Sequence, residues 1–132
     1  MSDELRWLAF ISLAYFVGAI PFGLIIARSR GVDLRAHGSG NIGATNVLRT
    51  LGKKPGILCF VLDALKGALP VVVSGLVMRT IDRSDRDAIS ALWWIAVAVA
   101  TVLWPMFTVF SRLRGGKGVA TGFGPLPVMW PV

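Results

Sequence analysis

Residues 37–54 read HGSGNIGATNVLRTLGKK, and nearly every residue type in that run can meet a phosphate. Gly38, Gly40 and Gly43 can bring backbone N–H groups close to a ligand and can take up positive φ. Ser39, Asn41, Thr45 and Asn46 offer short donors and acceptors, and Arg49 offers a rigid fork of donors suited to phosphate. The run is read as a phosphate site held against a membrane surface. The plainer alternative is a solvated glycine-rich turn. Gly38 to Gly43 also fits G-x-G-x-x-G, but that pattern marks a dinucleotide site only after a strand in a βαβ unit. Here it follows an apolar segment.

Other residues could take part. Gly115, Gly116, Lys117 and Gly118 form a second basic, glycine-rich turn. It is not a Walker A loop, because position 111 is Ser and Gly118 follows the lysine. A nest of N–H groups beside one ammonium can still hold a phosphate, and a basic turn touching headgroups is the alternative. Asp63 and Lys66 lie inside an apolar run at i and i+3, on one helix face and able to pair. Intramembrane charges are costly and are either functional or paired inward, so a site role and a structural ion pair both stay open. His37 is the one histidine and a candidate base. The closest acid in sequence is Asp33, and the fifth position on, where a histidine–aspartate acyltransferase motif needs Asp, is Ile42. No constellation of Ser, His and acid supports an acyl-enzyme. Cys59 is the single cysteine, inside an apolar run, and is read as a buried inert thiol; there is no cluster of metal-ligand spacing.

The elements that must position these residues are apolar. The chain has 132 residues, 55% hydrophobic and 16% charged, with mean hydropathy +0.68, where soluble domains run at about 25% charged. The pattern predicts an all-α integral membrane fold in one domain, 1–132. Three spans, at 7–27, 55–78 and 88–110, precede the start of a fourth at 119–132, which Pro125, Pro127 and Pro131 make a poor span. Asp3 and Glu4 argue against a signal peptide. Pro21 and Gly23 predict a kink or a close helix approach. Pro55 fits the first turn of its helix, and Trp93, Trp94 and Trp104 are candidate interfacial anchors. The net charge of +7 would suggest nucleic acid in a soluble protein. In this chain it suits anionic headgroups and cytoplasmic loops, and no nucleic-acid partner is expected. The loops 28–54 and 111–118 are basic and the loop 79–87 is balanced. The positive-inside rule therefore puts both glycine-rich loops in the cytoplasm and the N-terminus outside. Two such loops on one side predict one shared site.

The runs GSGNIGATNVLRTLGKKPGILCFVLDALKGALPV and RLRGGKGVATG, with GAIPFGLIIARSRGVDLRAHGSGN before them, closely resemble the bacterial acyl-phosphate:glycerol-3-phosphate acyltransferases, the PlsY family. The resemblance covers roughly residues 5–124. It implies an inner-membrane enzyme that moves an acyl group from acyl phosphate to the 1-hydroxyl of glycerol 3-phosphate, giving lysophosphatidic acid and phosphate without a cofactor. By matching motif it implies catalytic roles for Ser39, Arg49 and Lys117. It also implies acyl-phosphate binding by the second motif, Gly115, Gly116, Lys117 and Gly118, while Gly38, Gly40, Asn41, Gly43, Thr45 and Asn46 are substrate-binding candidates by their residue types. Asp63 and Lys66 match the family's L-D-x-L-K-G stretch. Trp104 and Pro105 stand at the family's Gly-His pair, and Thr108 at a Pro three residues after that His. The family's third motif, with His and Asn, is absent from these 132 residues, which read as a truncated chain or a fragment, so weak activity or none is expected of them alone. The alternative is an inactive membrane protein that binds phosphate or anionic lipid without turnover. A transporter half-unit would need polar mid-helix groups and a repeat; only Asp63 and Lys66 meet the first condition, and no repeat is present.

Overall fold

The computed structural model describes residues 2–79, 87–108 and 124–129, with residues 104–108 described as backbone. The regular elements among the described residues are all helices, and no strand occurs among them. The first apolar stretch makes two helices, α1 (Asp3–Gly18) and α2 (Phe22–Ser29). A 3₁₀ turn (Leu34–Ala36), α3 (Ala44–Leu51), α4 (Lys53–Val77), α5 (Ala88–Thr108) and a short α6 (Leu126–Met129) follow.

Asp3 and Glu4 occupy the first turn of α1, where negative charge complements the helix dipole. The helix tightens at its end, with Ile20 N–H donating to Val17 O at 3.2 Å, and stops before Pro21. The expected kink is a full break across Ala19, Ile20 and Pro21. The region expected as one polar loop, 28–54, holds the 3₁₀ turn and α3, so Thr45, Asn46 and Arg49 sit on a helix. Pro55 lies in the first turn of α4, as expected, and α4 continues through Pro70.

Residues 3–29 together, and α4, are long and apolar enough to cross a membrane; in α5 the stretch Ala88–Leu103 is shorter. At about 1.5 Å per residue, the 25 residues of α4 extend beyond the ~30 Å of a hydrocarbon core. Leu5, Leu8, Leu13 and Phe16 on α1, and Ile57, Phe60, Leu65, Leu69 and Leu76 on α4, stay exposed. Helices apolar on their outer faces suit lipid rather than water.

Two cores result. Trp7 and Ala14 of α1, Val71 of α4, and Trp94, Val97, Ala98 and Ala100 of α5 form the first. Trp94 is therefore no interfacial anchor. Its indole N–H donates to Val71 O at 2.8 Å, and an indole so satisfied can be fully buried. Trp93 packs partly against the same core, and the Trp104 side chain lies outside the description. Ile26, Ala27, Leu34, Val47 and Cys59 form the second core, beneath the glycine-rich run.

Asp87 starts α5, its carboxylate accepting the Ser90 N–H at 3.3 Å. Hydrogen bonding from the Ser90 side chain, with lesser help from the backbone N–H groups of Ser90, Asp87 and Ile89, holds the Asp87 carboxyl below its ordinary value. The stabilisation is present above the unfolded carboxylate range and is lost as pH falls through the lowered folded value. A small fall in melting temperature is expected on acidification. Asp87→Asn caps without titrating, so the wild-type-minus-variant difference should shrink at low pH; a constant difference from pH 7 to pH 3 would contradict this.

Candidate functional site

The glycine-rich run is wound around one side chain. Asn46 is only 2% exposed, and its Nδ2 donates to Asn41 O at 2.7 Å, His37 O at 3.0 Å and Leu34 O at 3.2 Å. Its Oδ1 accepts the Ser39 N–H at 3.2 Å and the Thr50 hydroxyl at 3.5 Å. The two amide hydrogens serve three carbonyls, so at least one is shared. Expected as a substrate contact, Asn46 spends its amide inside the protein and shapes the loop. An Asn one turn before Thr50 in a short polar segment was the signal for this.

The turn tightens locally as well. Asn41 N–H donates to Ser39 Oγ at 3.4 Å, and Asn41 Oδ1 accepts the Gly43 N–H at 3.0 Å. Gly38 (φ 57°) and Gly40 (φ 69°) take the positive φ expected of them, a region that L side chains disfavour. Gly43 does not. At φ −78° it is the N-cap of α3, its carbonyl accepting from Asn46 and Val47 N–H. A helix start leaves its first N–H groups without intrahelical partners, and here that end follows directly on the loop.

Ser39, Thr45 and Arg49 remain exposed. Thr45 and Arg49 are one turn apart on α3, and Arg49 is at i+3 from Asn46, on the loop's side of the helix. His37 is also exposed. Its Nδ1 lies 2.8 Å from Asp33 O, an acceptor that favours the proton on Nδ1. Asp33 itself caps the 3₁₀ turn by accepting the Arg35 N–H. A backbone carbonyl, not a carboxylate, orients the imidazole. Gly115, Gly116, Lys117 and Gly118 fall outside the described residues, as does any meeting of the two loops.

Asp63 and Lys66 pair as their spacing predicts, with Lys66 Nζ 2.7 Å from Asp63 Oδ1. The contact with that buried oxygen is an ion pair. Cys59 is buried and donates its thiol to Asp63 Oδ2 at 3.7 Å. Lys66 turns toward the break in the first stretch rather than the loop, donating to Ile20 O at 2.8 Å.

Residues 8–132 match the family model described as Glycerol-3-phosphate acyltransferase. The chain is 48% identical over 124 residues to a glycerol-3-phosphate acyltransferase of Myxococcus xanthus (strain DK1622), covering 93% of this chain and 60% of that one. It is 43% identical over 132 residues to that of Anaeromyxobacter sp. (strain K), covering 99% and 63%. A crystal structure of PlsY (YgiH), an integral membrane glycerol 3-phosphate acyltransferase in its glycerol 3-phosphate form, superposes with TM-score 0.79 at 43% identity, covering 96% of this chain and 58% of that one. The chain thus spans about 60% of the length of the relatives it matches. With the match running from the first helix through the glycine loop to the end of the sequence, this chain belongs to the glycerol-3-phosphate acyltransferase family.

Proposed function

We propose that the glycine loop and α3 form the phosphate-recognition part of a membrane acyltransferase. It transfers an acyl group from acyl phosphate to the 1-hydroxyl of glycerol 3-phosphate and releases lysophosphatidic acid and phosphate. The observation that carries the reading is the loop wound on buried Asn46, which leaves Ser39 and Arg49 exposed beside the start of a helix. The related PlsY crystals in glycerol 3-phosphate and lysophosphatidic acid forms support it.

Acyl phosphate is already activated. The 1-hydroxyl oxygen adds to the acyl carbon, the carbonyl oxygen takes up negative charge, and the C–O bond to phosphate then breaks. The hydroxyl proton leaves with a phosphate oxygen, so no strong protein base is needed. The protein's share is to position two anions and to meet the developing charge. Arg49 and Lys117 supply positive charge, Ser39 a hydrogen bond to a phosphate or to the attacking hydroxyl. Gly38, Gly40, Asn41, Gly43, Thr45, Gly115, Gly116 and Gly118 supply backbone and short polar contacts, and Asn46 holds the loop. His37 Nε2 is the remaining candidate proton acceptor.

In this reading α5 is a third span and the loops 28–54 and 111–118 face the cytoplasm of a bacterial inner membrane, with the N-terminus outside. The test is phosphate release from palmitoyl phosphate by purified protein in lipid, with and without glycerol 3-phosphate. Release that needs glycerol 3-phosphate and falls about a hundredfold or more in Arg49→Ala is expected. No release, with acyl phosphate still bound in an Arg49-dependent way, would leave a binding protein without turnover.

A further inference from the structure

The break in the first apolar stretch has an unusual tie. Pro21 carries no N–H, and an unmet carbonyl in hydrocarbon is costly. Ile20 O accepts the Phe22 N–H at 3.1 Å and the Lys66 ammonium at 2.8 Å, from 46 residues away. The same ammonium stands 5.6 Å from the centre of the Phe22 ring, the first residue of α2. Asp63 holds Lys66 from its own helix. α4 therefore grips the break by its carbonyl and its following aromatic ring. One residue on, Gly23 seats α2 on the Ile42 carbonyl and on Val47, and Ile42 lies inside the glycine loop. A continuous set of contacts runs from Asp63 and Lys66, through the break and Gly23, to the loop.

We infer that Lys66, held by Asp63, is a positioning residue that sets the place of the glycine loop by fixing the α1–α2 break against α4. The inference rests on reading that loop as the phosphate site, and it assigns a task to a buried ion pair that contacts the break.

Lys66→Met alone leaves Asp63 as an unpaired buried charge and can fail to fold. The paired variant Asp63→Asn with Lys66→Met removes both charges. Amide hydrogen exchange across residues 38–46 is to be measured in lipid nanodiscs, with α5 amides as the reference. Exchange in the loop is expected to rise about tenfold, with α5 and the unfolding midpoint unchanged, while Lys66→Arg, which keeps a cation at the carbonyl, keeps the loop protected. Unchanged loop exchange in the paired variant overturns the inference. So does a rise shared equally by α5, which is general loosening. Glycerol 3-phosphate titration separates the two readings. Weaker binding with faster loop exchange supports both, whereas faster exchange with unaltered binding supports positioning and removes the loop as the phosphate site.

Discussion

Asn46→Asp is expected to weaken glycerol 3-phosphate binding by about a hundredfold or more while the helices stay in place. The substitution is nearly isosteric, so packing against the second core barely changes. The chemistry inverts: an oxygen replaces the NH₂ that now serves Asn41, His37 and Leu34 carbonyls at 2.7–3.2 Å. Each buried carbonyl left unmet costs roughly 1–3 kcal/mol, and a carboxylate facing them adds repulsion. The loop can escape only by unwinding from α3, which dissolves the arrangement presenting Ser39. Since about 1.4 kcal/mol is a factor of ten, two lost contacts suffice for the stated effect. Calorimetric titration of glycerol 3-phosphate into micelle-embedded protein, with a melting curve beside it, is the measurement. Wild-type affinity in Asn46→Asp would mean that the loop keeps its shape without this hub.

Gly23→Ala should act comparably strongly from the other side. A Cβ at that position runs into the Ile42 carbonyl oxygen and comes within 3.4 Å of Val47 Cγ2. The obstacle is backbone rather than the flexible end of a side chain, so either α2 or the loop must move. Overpacking of this kind costs about 1–3 kcal/mol. A displacement of about 1 Å in a positioning element can lower turnover roughly a hundredfold. Palmitoyl phosphate turnover and melting temperature should both fall, turnover by more. If only the melting temperature drops, α2 moves alone and the loop is indifferent to it.

Much of this was legible in the sequence because it depends on local pattern. Apolar runs gave the helices, Pro21 the interruption, and i,i+3 spacing the Asp63–Lys66 pair. Positive φ at Gly38 and Gly40 followed from a glycine-rich turn. What stayed hidden depends on contacts between distant residues. The segment ATNVLRTL is rich in poor helix formers; α3 exists because Val47 and Asn46 are buried against α4 and the loop. Trp94 looked like an interface residue until Val71 O, 23 positions away, took its N–H. Gly43 looked like a left-handed turn residue, but an extended N-cap was what α3 needed.

Cys59 gives the molecule a built-in reporter. It is the chain's one thiol, fully enclosed beside Asp63 and under the second core. A maleimide in solution can reach it only when α2, α3 and α4 come apart, so the labelling rate of the unaltered protein times that separation directly. New cysteines placed at exposed positions would react far sooner, and their sidedness could be read with the native thiol left in place.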